Sequence, residues 1–319
     1  MTALLEQLGL EAPVVQAGMG GIARHELAAA VSEVGGLGTI GLLDAASLRD
    51  EVAAFRSRTE RPLAVNLLLP FARPQHWEAA QGADVVVTFW GSPHRRTGRM
   101  WIHQCGSVAE ALAARAAGAD AVIAQGIEAG GHVRGTLPAL ELLEAVRAAL
   151  PGDFPVLVAG GIAERSDVAH ALEAGAGAAV LGTRFVASEE SRAHPRYKQE
   201  LVGASDTVLT ELFGLGWPAP HRVVRNAATE RWLRRDHRGP ATIRALNRAL
   251  SPALSRLPAG LQARMAAAQR SGVPLLGPQP PCDDGPGALL EAGALYAGET
   301  VARIDDIRPA GAIVRELAV

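Results

Sequence analysis

From residue 12 to about residue 187, short apolar runs that close on glycine or a polar residue alternate with stretches rich in Ala, Leu, Glu and Arg. This is the pattern of βαβ units on a parallel sheet, whose strands are buried on both faces and so read as unbroken apolar runs. The candidate strands are residues 13–17, 38–42, 63–68, 84–89, 100–104, 121–125, 156–159 and 178–181. Eight strands joined by seven helical crossovers suit a closed (β/α)8 barrel better than an open doubly wound sheet, which commonly has about five to seven strands.

The ends of these strands differ in chemistry. Their carboxyl ends carry Gln16 and Gly18, Asn66, Trp90, Gln104, the stretch from Gln125 to His132, Gly160 and Gly161, and Gly182 and Thr183, while their beginnings carry nothing comparable. Polar and glycine residues gathered on one rim mark the catalytic face of a barrel. After about residue 206 the rhythm stops and a helix-like, Arg-rich stretch follows over 222–265, then a Pro/Gly-rich segment over 277–287. That shift predicts a second, smaller, mainly helical unit, and residues 292–319 read as a return to the barrel as its last helix. A chain of 319 residues has room for both, since a barrel alone takes about 250.

Composition narrows the function classes. At 48% hydrophobic and 20% charged residues the chain is globular. A formal net charge of -2 lacks the basic balance that nucleic-acid binding needs. Cys105 and Cys282 lie far apart with no metal-ligand spacing, so neither a metal site nor a disulfide framework is expected. No apolar run reaches the roughly 18 residues of a membrane span, and the amino terminus has no positive region; the chain reads as cytoplasmic.

Four motifs carry candidate chemistry. Gly160 and Gly161 follow the seventh strand and Gly182 and Thr183 the eighth, where barrel loops bind phosphate through backbone N–H groups. Gln-Gly-Ile-Glu-Ala-Gly-Gly-His, residues 125–132, is the densest constellation. Gln125 can donate and accept along the edge of a flavin ring, Gly130 and Gly131 permit a flat cofactor to approach, and His132 can take a proton from a carbon acid. Glu128 is placed either to orient His132 or to cap a helix. Asn66 and Gln104 offer amides to the same ring. Gly18-Met19-Gly20-Gly21-Ile22-Ala23 imitates a dinucleotide fingerprint, with Asp44 as its ribose acid. The six later strands and the later phosphate signals argue against that reading, and the preferred one lays the backbone of Gln16 to Gly20 against an isoalloxazine ring. Eight arginines between Arg222 and Arg248 face two acidic residues, Glu230 and Asp236, a solvated face or a lure for an anionic substrate.

Together these motifs resemble the nitronate monooxygenase (2-nitropropane dioxygenase-like) family, through residues 15–20, 66–68, 102–105, 125–132, 159–162, 182–185 and 194–198. The resemblance implies a barrel over 1–206 plus 290–319, interrupted by a lid over 207–289. It implies FMN against Gly18, Met19, Asn66, Gln125 and Gly130, with the phosphate at Gly161, Gly182 and Thr183, and His132 as catalytic base; Gln16, Gln104, Gly131 and Gly160 complete the candidate cofactor-binding set. Three positions depart from the family pattern: Gln104 stands where some members have lysine, residues 163–166 lack an Asp-Gly-Arg-Gly run, and Trp90 replaces Phe or Gly and narrows the pocket. The implied reaction is oxidation of a nitronate or nitroalkane by molecular oxygen to a carbonyl compound and nitrite. The substrate is a small molecule of anionic character, and a homodimer is compatible with the family. An NADPH-dependent FMN enoyl-acyl carrier protein reductase shares the same signatures and is the rival expectation.

Overall fold

The computed structural model describes residues 3–254 and 259–319. Met1 and Thr2 of the amino-terminal segment, and residues 255–258 inside the expected stretch 222–265, lie outside the described residues.

Eight strands form one parallel sheet: β1 (Val14–Gln16), β2 (Gly38–Ile40), β3 (Leu63–Leu68), β4 (Val85–Phe89), β5 (Met100–Cys105), β6 (Ala121–Gln125), β7 (Val156–Ala159) and β8 (Ala179–Leu181). Their hydrogen-bonded order is β1-β8-β7-β6-β5-β4-β3-β2. A parallel bridge between Val15 and Leu37 brings the two ends together, with Gln16 N–H donating to Leu37 O at 2.9 Å and Leu37 N–H to Val14 O at 3.0 Å. The sheet is therefore a closed barrel, as the strand count predicts.

Side-chain parity decides what each strand shows to the interior, because successive residues point to opposite faces. Val15, Ala64, Val85 and Val87, Ile102, Ala121 and Ile123, Leu157 and Val180 share one buried cluster inside the barrel. Their neighbours Val65, Val86, Val122 and Val158 belong to clusters under the outer helices. Leu4, Leu5 and Leu10 join the interior cluster, so the segment around the helix Ala3–Leu8 contributes its apolar side chains to the barrel core.

Six of the seven crossovers carry a helix: His25–Ser32, Ala45–Arg58, Pro74–Ala79, Val108–Ala116, Ala139–Ala149 and Arg165–Glu173. The connection from β4 to β5 has none, contrary to expectation. Its residues include Gly91, Pro93, Gly98, Arg95, Arg96 and Arg99 and offer no apolar stripe for a helix to bury. Asp44 starts the helix Ala45–Arg58 by accepting from the N–H groups of Ala46 and Ser47, each at 3.1 Å, a capping role with no ribose in view. The helix Ala310–Leu317 lays Ile313, Val314 and Leu317 against Val14, Leu27, Val168 and Leu181, filling the last outer position of the barrel.

Between β8 and that helix lies a region with its own core of Val208, Leu212, Phe213, Val223, Ala228, Leu233, Ile243, Leu276, Ala292 and Ala294. It contains helices, as expected, but opens on an antiparallel pair, Val208–Thr210 with His221–Val223. A third short strand, Gly131–His132, comes from the barrel and pairs His132 with His221. The barrel and the inserted segment thus share a small sheet, and His132 sits at the join. No helix among the described residues is long and apolar enough to cross a membrane.

Candidate active site

A cavity of about 650 Å³ opens at the carboxyl ends of the barrel strands, within the range of roughly 300–1,000 Å³ common for small-molecule sites. Interior parity continues into its wall: Asn66, Gln104 and Gln125 lie two residues beyond Ala64, Ile102 and Ile123 and face inward with them. Gly18, Met19, Gly130, Gly131, His132, Gly160, Gly161, Gly182 and Thr183 line the same space. Gln16 does not. It follows the inward Val15 and so points into the wall, fully buried, where its Oε1 accepts from Thr39 N–H at 2.9 Å and its amide nitrogen donates to Ala17 O. The Gln16 side chain, expected beside a cofactor, instead helps close β1 on β2.

Several loops depend on glycine for reasons the geometry makes explicit. A Cβ on Gly18 would stand 2.3 Å from Asn66 Cβ, and one on Gly130 would stand 2.6 Å from the Ala297 carbonyl carbon and Gly298 N. Gly130 is therefore required first by another stretch of backbone. Gly160 and Gly161 have φ of 112° and 72°, a run of left-handed conformation that turns consecutive N–H groups into a concavity suited to an anion. Gly182 opens the short helix Thr183–Val186. Thr183 Oγ1 accepts from Gly298 N–H at 2.9 Å, which leaves its own hydroxyl hydrogen to donate.

The polar groups of the wall divide into spent and unspent. Gln125 Nε2 donates to His132 O at 3.0 Å and its Oε1 accepts from Arg134 N–H at 2.9 Å, so much of its capacity braces the segment that follows. Asn66 and Gln104 make no side-chain hydrogen bond among the described residues, and both face the cavity. Polar groups aimed into an enclosed space without partners point to a ligand that satisfies them. Two free amides, a flat floor at Gly18 and Met19 and a glycine-lined anion cradle fit a planar, hydrogen-bonding ring system that carries a phosphate.

His132 is held from several sides. Its main chain pairs with His221, its carbonyl accepts from Gln125, and Val133 N–H donates to Pro220 O at 2.9 Å. The imidazole stacks on Trp217 with ring centroids 3.6 Å apart and planes 15° from parallel. Its Nε2 is buried without a hydrogen-bond partner. Burial, and then the neighbouring His221, hold its pKa well below the usual 6.5, so the ring is neutral. Glu128 does not orient it. Both Glu128 carboxylate oxygens accept from Ala139 N–H at 3.0 Å, supplying the cap that Pro138 cannot give to the helix Ala139–Ala149.

His221 shows what a structural histidine looks like in the same place. Its Nδ1 lies 2.9 Å from Ala219 O and its Nε2 accepts from Phe213 N–H at 3.2 Å, which fixes one neutral tautomer; burial takes its pKa to about 4. His132, by contrast, lines the cavity and has no hydrogen-bond partner for its Nε2 among the described residues.

Sequence reasoning misses Trp217 and Tyr296, which line the cavity beside His132. Both lie more than 80 residues further along the chain, and no local motif ties them to the barrel rim. The one available signal is Trp217 between Gly216 and Pro218, a bulky ring where a turn alone needs none. Trp90, expected to narrow the pocket, stands behind Trp217 instead, edge-on at 5.4 Å. Its φ of 61° is a left-handed conformation rare outside glycine. The Arg-rich stretch is largely occupied internally: Arg222 donates to Ile127 O at 2.8 Å and pairs with Glu299 at 2.7 Å, Arg244 pairs with Asp236 at 2.8 Å, and Arg238 and Arg248 converge on the buried Glu211. Away from the cavity, His25, Glu26 and Glu51 bring ligating atoms within 4.8 Å of one another, but Glu51 already accepts from His25 Nδ1 at 2.6 Å and Glu26 faces Arg192 at 3.4 Å.

With this geometry in place, relatives of the chain can be compared with it. The family model for nitronate monooxygenase matches residues 1–101 and 92–319. A nitronate monooxygenase of Pseudomonas aeruginosa is 34% identical over 266 residues, covering 64% of this chain and 74% of the relative. A (3aS,4S,5R,7aS)-5-hydroxy-7a-methyl-1-oxo-octahydro-1H-indene-4-carboxyl-CoA dehydrogenase of Mycobacterium tuberculosis is 32% identical over 252 residues, covering 72% and 68%. Among solved structures, FabK from Thermotoga maritima superposes with a TM-score of 0.76 at 30% identity, covering 99% of this chain and 94% of that one. Nitroalkane oxidase from Streptomyces ansochromogenes superposes at 0.74, with 30% identity and coverage of 99% and 96%. The relatives carry different substrate names on one scaffold, while the family match spans the barrel and the inserted segment together: the chain belongs to the nitronate monooxygenase family of flavin-dependent oxidoreductases.

Proposed function

We propose that this protein binds FMN in the barrel-mouth cavity and oxidises nitronates, and nitroalkanes after deprotonation, with molecular oxygen to a carbonyl compound and nitrite. The observation that carries this reading is the imidazole of His132: neutral, with a buried and unpartnered Nε2, it lines the same cavity as the free amides of Asn66 and Gln104 and the glycine loops. Gly160, Gly161, Gly182 and Thr183 would hold the phosphate. Gly18, Met19 and Gly131 would lie along the ring, and Asn66, Gln104 and the remaining amide hydrogen of Gln125 would meet its polar edge. Bound FMN supplies the electron transfer between substrate and oxygen.

The chain's own residues do the proton chemistry. The His132 imidazole takes the α-proton of a neutral nitroalkane; the C–H bond breaks, its electron pair moves toward the nitro oxygens, and a nitronate results. A positioned base contributes about 10²- to 10⁴-fold. Trp217 and Tyr296 wall the base off from water. In this reading residues 207–289 act as a lid on a barrel of 1–206 plus 290–319; a separate core from Val208 to Leu276 supports a distinct unit, although Ala292 and Ala294 of the returning segment pack into it.

A second reading, an NADPH-dependent FMN enoyl-acyl carrier protein reductase, rests on the signatures at residues 128–132 and 182–185. Anaerobic mixing separates the two. A nitronate should bleach the bound flavin within seconds while NADPH leaves it oxidised; the reverse pattern would replace the first reading by the second.

A further inference from the structure

A base that takes a proton becomes a cation, and a buried cation needs a partner. Among the described residues no carboxylate near His132 is free for that role. On the shared sheet it meets His221, 5.4 Å away and locked neutral, with Glu211 behind it already engaged by Arg238 and Arg248. From the returning segment it meets Tyr296 at 5.5 Å, whose hydroxyl donates to Pro278 O at 2.7 Å. Just beyond its own strand Arg134 pairs with Glu110 and lies over the Trp90 ring at 4.9 Å. Glu128 is committed to Ala139 N–H. What remains against the imidazole is the face of Trp217.

From this we infer that Trp217 is a positioning residue for the base: its indole face sets the plane of the His132 imidazole and stabilises the imidazolium that forms when the proton is taken. The inference rests on the reading of His132 as base given above. Trp presents the most favourable ring face to a cation, and the interaction strengthens where water is excluded. Trp217 is itself clamped. Trp90 and Phe71 both press on it edge-on at 5.4 Å, with interplanar angles of 77° and 81°. Gly216, at φ 89°, turns the chain just before it. The indole therefore cannot swing away without disturbing two further rings, and the imidazole it covers keeps one orientation toward the cavity. The proton ends on the ring nitrogen and the electron pair stays with the substrate, so the step needs no oxidant.

The test compares wild type with Trp217→Leu and Trp217→Phe in the full-length protein. Histidine-ring NMR, with the His132 signal assigned by its loss in His132→Gln, should show the imidazole pKa lowered by about one further unit in the leucine variant and by less in the phenylalanine variant. In turnover, the loss on a neutral nitroalkane should exceed the loss on its preformed nitronate by about tenfold in Trp217→Leu, with Phe restoring most of it. An unchanged or raised pKa, or equal losses on the two substrates, would overturn the inference. If wild type turned over neither substrate, the nitronate reading would fail, while the NMR comparison would still decide the coupling between the two rings. If the leucine variant failed to fold, the phenylalanine variant carries the same comparison with a smaller expected shift.

Discussion

Gln125 grips the chain segment that carries His132: its Nε2 donates to the His132 carbonyl at 3.0 Å and its Oε1 accepts from Arg134 N–H at 2.9 Å. One amide at the end of β6 therefore sets the height of the base above the barrel, while pairing with His221 sets its far edge. The residue that sequence alone assigns to a flavin edge is, in the folded protein, first a brace.

Replacing Gln125 by leucine removes both bonds and leaves a carbonyl and an N–H without partners. Each unpaired buried group costs about 1–3 kcal/mol. Urea denaturation should show Gln125→Leu destabilised by about 2–6 kcal/mol, and turnover of a neutral nitroalkane should fall at least tenfold. Wild-type stability in that variant would show that the brace is idle.

His132→Ala should keep its flavin and lose about 10²- to 10⁴-fold in turnover of neutral nitroalkanes. Preformed nitronate, which needs no deprotonation, should lose far less. Steady-state kinetics with both substrate forms read the difference; equal retention on both would remove the base assignment.

Acid should destabilise this protein before its carboxylates titrate. His103 is held at about 4 by burial, His221 at about 4 by burial, and His132 well below 6.5 by burial and then His221. All three bind protons more readily when unfolded, so their contribution is complete above about pH 6.5 and is lost as pH falls toward 4. For His103 and His221 the loss is about 3 kcal/mol each at most. Denaturation midpoints should decline steadily from pH 7 to pH 4.5; a flat profile would show that these rings are hydrated.

Gly18→Ala should weaken flavin binding, because the new methyl would meet Asn66 Cβ at 2.3 Å and displace a free amide. Overpacking of this kind costs about 1–3 kcal/mol. The Kd for FMN should rise about tenfold or more, read from flavin fluorescence. Gly152→Ala, with nothing within 4 Å of its Cβ position, serves as the control.

The barrel was legible because its strands are buried on both faces: residues 63–68, 121–125 and 156–159 are read from the apolar runs with the same bounds the structure has. The rim was legible because glycine and amide residues cluster at strand ends. Parity could also have removed Gln16, since Val15 beside it is the inward residue, but that needs the barrel interior to be fixed first. The helix missing after β4 and the two-residue strand at His132 were not legible, as neither has a periodic apolar face. Trp217 reaches the site through the fold of the inserted segment and Tyr296 through the segment that returns to the barrel, and local sequence carries no trace of a contact between residues 132 and 217.

On the proposed function, FMN binds in the barrel mouth with the imidazole of His132 facing the bound substrate. Titration of FMN into the stripped protein, followed by flavin absorbance and fluorescence, tests it most directly. One FMN should bind per chain, with its fluorescence changed on binding and the complex retained on gel filtration. A protein that stays colourless and leaves added FMN free in solution would contradict the account.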